Sequence, residues 1–187
     1  MEAAARVFAR RGYKGASFRE LIAESGLTKG AFYFHFSSKE ELALETMRRK
    51  QSQLIDRIVA EVPPQRTGFD RLAALLRARA RALEADGSLW CLSRLRSELG
   101  AELGRVSDPS SDHSTVNEWP MQVFEELVTG GQASGAVRPA LDARATSETL
   151  FASVIGMDIL ALQLAGGSDL TARTENLLEL LRNGLEP

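Results

Sequence analysis

The chain of 187 residues predicts an all-α protein: an N-terminal three-helix helix-turn-helix domain joined by a long helix to a larger helical C-terminal domain, about nine helices in all. Three observations carry this. Ser17-Phe18-Arg19-Glu20 and Ser38-Lys39-Glu40-Glu41 are capping boxes, in which a serine hydroxyl takes an orphan amide and a glutamate reaches back. Between them, Ser25-Gly26-Leu27-Thr28 makes a corner: Gly26 for a positive φ, Leu27 to plug the angle, Thr28 to cap the next helix. Beyond residue 40, apolar residues recur at helical spacing up to two strongly apolar helices near the end.

Helix 1 is expected from the start to about Arg10, with Ala5, Phe8 and Ala9 inward and Gly12 as its stop. Helix 2 spans Phe18 to Ser25, with Phe18, Leu21 and Ile22 inward. The short helix 3 runs from Lys29 to about Phe34, where periodicity does not separate the faces because aromatic residues fall within one broad arc. Helix 4, Lys39 to about Val62, is long enough to leave one domain and enter the next. The expected domains are 1–45 and 46–187.

Helix 5 covers Phe69 to Ala85, with Arg71, Arg77, Arg79 and Arg81 as a solvated charged face. Helix 6 runs from Ser88 to Leu99, and the polar stretch to Ser114 reads as a mobile loop. Helix 7 is expected near Val116 to Val128, beginning around Trp119-Pro120, with Gly130-Gly131 and Gly135 as terminators. Helix 8, Ala143 to Leu164, is apolar nearly all round and therefore needs cover on more than one side. With helix 9, Leu170 to Asn183, it suggests a four-helix bundle between two copies of the chain.

Hydrophobic residues at 44% and charged residues at 26% are an ordinary globular balance. No apolar run is read as a membrane span and no secretory leader is read at the start, so a cytoplasmic protein without membrane contact is expected. The one cysteine, Cys91, allows no disulfide within the chain. Net charge is −2, unevenly spread: residues 1–50 hold ten Lys/Arg against six Asp/Glu, the remainder thirteen against nineteen. Positive charge thus gathers at the helix-turn-helix, as phosphate binding requires.

No nucleophile elbow, phosphate loop or HExxH stretch appears, and two histidines make a His-based metal cluster implausible. No enzyme activity, catalytic residue, metal or cofactor is expected.

Tyr13 within Arg11-Gly12-Tyr13, then Gly26-Leu27-Thr28-Lys29-Gly30 and Tyr33-Phe34-His35-Phe36-Ser37-Ser38-Lys39, closely resemble the DNA-binding domain of TetR-family transcriptional regulators. The resemblance covers about the first fifty residues. It implies a homodimer that binds double-stranded operator DNA and a small-molecule effector. Phe32 and Phe36 would then be core, and Ser17, Thr28, Lys29, Gly30, Tyr33, His35 and Lys39 would face DNA. Hydroxyl, imidazole and ammonium donors suit phosphates, Lys29 can also meet guanine, and Gly30 permits close approach.

Later stretches resemble the γ-butyrolactone receptor branch, including its pseudo-receptors: Arg94-Leu95 with Glu98, Trp119, Gly156 with Leu160, and Asp169-Leu170 with Arg173. The implied effector contacts are Trp119, Val123, Ile155 and Asp158. The branch often has Thr-Gly-x-Gln where this chain has Ile155-Gly156-Met157-Asp158, so a lactone, an antibiotic-like metabolite and no ligand at all stay open. The function implied is a repressor released from a palindromic operator by an apolar effector. The alternative, resting on the short helix 1, is a dimeric small-molecule- or partner-binding protein with a degenerate DNA-binding domain.

Overall fold

A computed structural model describes residues 1–63, 68–103 and 115–185, with side chains for all of these except 100–103, 115–120 and 183–185. Among the described residues there are nine α-helices, one 3₁₀ turn and no strand. The helices are α1 (Glu2–Gly15), α2 (Phe18–Ser25), α3 (Lys29–His35), α4 (Lys39–Glu61), α5 (Gly68–Ala85), α6 (Cys91–Leu103), α7 (Thr115–Ala133), α8 (Ala143–Ala165) and α9 (Leu170–Leu185); the 3₁₀ turn is Gly87–Trp90. The predicted mobile loop falls on residues 104–114, outside the described residues.

The chain divides into two compact units. One is Met1–Ile55 with Asp86–Val116; the other is Asp56–Ala85 with Asn117–Pro187. Packing thus groups α6 with the helix-turn-helix, whereas the sequence suggests a division at residue 45. Helix α4 is continuous through the change of unit.

In the first unit α1 packs on α2, α6 and the 3₁₀ turn. Its core joins Ala5, Val7 and Phe8 to Leu21, Phe32, Leu42 and Met47, and to Leu89, Trp90, Cys91 and Leu95. Burial pushes the Cys91 thiol up to about 12, so it stays protonated and inert. Gly12 does not stop α1 outright. It sits at φ 69°, ψ −177°, and helix resumes for one turn beyond the break.

In the second unit α5 packs on α9 and α9 on α8. The core comprises Phe69, Leu72 and Leu76 from α5, Phe124 and Val128 from α7, Leu150, Phe151 and Val154 from α8, and Leu178 from α9. Gly130 and Gly131 lie inside α7 rather than ending it. Packing decides this: a Cβ on Gly131 would stand 2.5 Å from Cγ2 of Val137, which folds back against it. Helix α7 starts at Thr115, one residue before the expected Val116, which puts Pro120 in its second turn.

Helix α8 is capped by Asp142, whose carboxylate accepts from the Ala145 amide at 2.7 Å, and it ends on Gly166 in the left-handed region. Its buried stripe is Ser147, Leu150, Phe151, Val154, Asp158 and Ala161. Contrary to the sequence expectation, α8 is long and apolar enough, by length and composition, to cross a membrane, with a mean hydropathy of 1.4. Its interior stripe nonetheless carries a charged pair, since Asp158 is engaged by Arg79. Leu160 and Leu164 of α8 and Leu180 of α9 remain exposed.

Three of the four arginines of α5 form ion pairs rather than a purely solvated face. Arg77 holds Glu175 through two hydrogen bonds of 2.6–2.7 Å, Arg79 holds Asp158, and Arg81 holds Glu61.

Candidate nucleic-acid interface

The helix-turn-helix is set by local capping. Ser17 Oγ accepts from the Glu20 amide at 3.2 Å, Thr28 Oγ1 from the Ala31 amide at 3.2 Å, and Ser38 Oγ from the Glu41 amide at 3.0 Å. Gly26 ends α2 at φ 68°. The two glutamates of the capping boxes diverge from the reciprocal pattern. Glu20 accepts from Arg11 at 3.3 Å. Glu41 takes the amide and hydroxyl of Ser37 at 2.8 and 2.6 Å, which hold its carboxyl below the ordinary range.

Helix α2 is pinned to α1 by Glu24, which accepts from Arg6 and Arg10 at 3.2 and 3.3 Å. Those two guanidinium groups lower its pKa. At the other end of α1, Lys50 lies buried on α4 and donates to Glu2 at 2.6 Å, drawing the Glu2 carboxyl down as well.

Helix α3 turns one ring inward. Phe32 is buried and meets Phe18 edge-on at 5.8 Å, and Phe36 is half-buried. Thr28, Lys29, Gly30, Tyr33 and His35 are all exposed, as is Ser17. The Tyr33 ring stacks on Phe18 at 5.6 Å, and Lys29 Nζ stands 5.9 Å from the Tyr33 centroid. The structure therefore gathers five of the expected residues on α3 and its cap, with Ser17 at the cap of α2.

Lys39 departs from expectation. Its ammonium donates to the carbonyls of Tyr13 and Ala16 at 2.9 and 3.0 Å and lies 4.4 Å from the Tyr13 ring centroid. Two of its three N–H groups are thus taken up within the protein, and the joint between α1 and α2 is what they hold. Leu27, expected to plug the corner, is 45% exposed instead, because the Ser25 hydroxyl closes the turn by donating to the Ile22 carbonyl and accepting from the Leu27 amide. Sequence reasoning also passed over Phe34, which is 85% exposed on α3. Its signal was its place beside Tyr33 and His35, but a two-turn helix crowded with aromatics gave periodicity nothing to resolve.

Of the expected effector contacts, Val123 and Ile155 are half-buried on α7 and α8, and Ile155 packs against the core of the second unit. Asp158 is buried and paired with Arg79, at 3.0 Å from one guanidinium nitrogen. Trp119 lies in α7, but its side chain is outside the described residues. A cavity of about 240 Å³, lined by Arg77, Glu175, Asn176, Leu178, Glu179 and Arg182, shares none of these residues. Among the described residues no group of three or more His, Cys, Asp or Glu could hold a metal ion.

Residues 1–46 match the model of "Bacterial regulatory proteins, tetR family". The chain is similar to the fatty acid metabolism regulator protein of Bacillus subtilis, 23% identical over 99% of this chain and 93% of that one. It is also similar to the A-factor receptor protein of Streptomyces griseus, 28% identical over 95% of this chain but only 59% of the receptor's length. Among solved structures, the full-length tetR regulator tylP of Streptomyces fradiae superposes with a TM-score of 0.73 at 28% identity, covering 100% of this chain and 84% of that one. Residues 1–46 are therefore a domain of the tetR family of bacterial regulatory proteins, and the helices that follow share the fold of a full-length tetR regulator.

Proposed function

We propose that this chain is a homodimeric DNA-binding transcriptional regulator, a repressor that leaves a palindromic operator when a small apolar effector binds. The observation that carries this reading is the outward face of α3: Thr28, Lys29, Gly30, Tyr33 and His35 stand exposed over a core closed by Phe32. Hydroxyl, ammonium and imidazole groups on one short helix suit the phosphates and base edges of a major groove. Ser17 would add a phosphate contact from the start of α2. Lys39 would act chiefly by holding the joint before α2, with any phosphate contact secondary.

Two copies would join through α8 and α9, where exposed Leu160, Leu164 and Leu180 gain from burial. A two-fold dimer presents its readers to half-sites related by the same symmetry. Such a protein works in the cytoplasm and needs no cofactor or catalytic residue.

For the effector we favour an apolar molecule with few oxygens, of γ-butyrolactone or antibiotic-like type, contacting Trp119, Val123, Ile155 and Asp158. Similarity both to an A-factor receptor and to a fatty acid metabolism regulator makes acyl compounds the natural comparison set. Release requires tighter binding to the form that does not hold DNA; a hundredfold preference is worth about 2.7 kcal/mol.

Selection of duplexes from a random library by the purified protein tests the reading. Enrichment of one palindromic sequence, lost on adding a γ-butyrolactone or a long-chain acyl compound, is expected. Equal retention of all sequences would refute it.

A further inference from the structure

Seven large apolar side chains stay exposed among the described residues: Leu27, Tyr33, Phe34, Val59, Leu160, Leu164 and Leu180. Three of them sit on the helix-turn-helix. Phe34 is the most exposed, at 85%, and it carries no polar atom. Its ring meets that of His35 edge-on at 5.4 Å and lies outside the Phe18, Phe32, Phe36 cluster that closes the core. The fold therefore does not account for a phenyl ring at this position.

Its surroundings indicate what would cover it. Phe34 lies four residues after Gly30, and positions four apart share a helix face. Gly30 is exposed, with no atom within 4 Å of where a Cβ would stand, so that face is open. Lys29 and His35 flank it with donors, and residues 1–50 carry the chain's surplus of positive charge. An apolar ring framed by phosphate-seeking groups suits a surface whose outline is anionic and whose floor has apolar points. The major groove is such a surface, and its apolar point is the C5-methyl of thymine.

We infer that Phe34 packs on the C5-methyl of a thymine in each operator half-site and so determines sequence specificity at that position. This rests on the DNA-binding reading above. The contact involves no phosphate, so it adds selectivity without adding salt dependence.

The test uses the duplex enriched by the full-length protein, with each thymine replaced singly by deoxyuridine, which pairs identically and lacks only the methyl. At one symmetric position the unaltered protein should bind about fourfold more weakly per half-site, and about fifteenfold more weakly with both replaced, the effect of one buried methyl group each. Phe34→Ala should bind the thymine duplex more weakly, ignore uracil at that position, and keep the salt slope and melting temperature of the parent. Phe34→Leu should recover part of the discrimination.

A uracil scan without effect on the unaltered protein, or a Phe34→Ala protein still sensitive to uracil, overturns the inference while the DNA-binding reading stands. Unchanged duplex affinity in Phe34→Ala also overturns it, and points to a protein surface as the cover for the ring. Failure to enrich any sequence removes the DNA-binding reading and this inference with it.

Discussion

The carboxylate of Glu98 on α6 accepts a 2.7 Å hydrogen bond from the backbone amide of Lys14, 84 positions earlier in the chain. The same carboxylate fills the space beside Gly12, where a Cβ would stand 1.9 Å from Oε1. Helix α1 breaks at that glycine, so Glu98 braces the bend. Glu98→Ala should cost about 1–3 kcal/mol by orphaning the Lys14 amide, and Glu98→Gln, which keeps an acceptor, should recover most of it. Gly12→Ala should also cost upwards of about 1 kcal/mol, from the positive φ and the displaced carboxylate. Urea unfolding of the three variants checks the order.

Lys39 holds the residues that follow this bend through the Tyr13 and Ala16 carbonyls. Lys39→Met should weaken operator binding while leaving the slope of log affinity against log salt where it was. A slope shallower by about one unit would instead make Lys39 a phosphate ligand.

Gly30→Ala separates folding from recognition. Nothing in the free protein opposes a methyl at this helical position, and alanine is favoured over glycine there by up to about 1 kcal/mol. The variant should melt higher and bind duplex less well. Undiminished binding would mean that the duplex does not approach Gly30 closely.

The Arg79–Asp158 pair crosses from α5 to α8 with Asp158 fully buried. Asp158→Ala leaves a partly buried guanidinium without this partner and should destabilise by about 3–5 kcal/mol. Arg79→Met combined with Asp158→Leu should return most of that. Thermodynamic coupling between the two sites, read from a double-mutant cycle, should be at least 1 kcal/mol.

Acid should loosen the first unit. Glu2, Glu24 and Glu41 all have carboxyls held below the ordinary value of 4.5, by Lys50, by Arg6 and Arg10, and by Ser37 respectively. Because folding lowers these values, their stabilisation is complete above the unfolded glutamate range and is lost as pH falls through the folded ones. Stability followed by circular dichroism should fall below about pH 4.5. Glu2→Gln should lessen that slope while lowering stability at neutral pH, since Lys50 stays buried.

The capping residues of the helix-turn-helix were legible in the sequence because caps are local: Ser17, Thr28, Ser38 and Gly26 act within a few residues of themselves. Helix existence followed from periodicity for the same reason. What the sequence could not give are pairings at a distance. Glu98 with Lys14, Lys39 with Tyr13 and Ala16, and Arg79 with Asp158 each join helices whose facing is known only once the chain is folded. The arginines of α5 show the same limit, since a run of charge reads identically whether it meets water or carboxylates. Phe34 was missed for a different reason. Helix α3 offers two turns to average over, and aromatic residues occupy both its buried and its open side.

Residues 86–103 belong to the same compact unit as residues 1–55. A transplant of the amino-terminal fifty-odd residues onto a foreign sensor would therefore carry α1 without the helix it rests on, and leave Gly12 unsupported. Modular exchange among relatives of this chain should succeed only when the graft is discontinuous, bringing α6 along with the segment it braces.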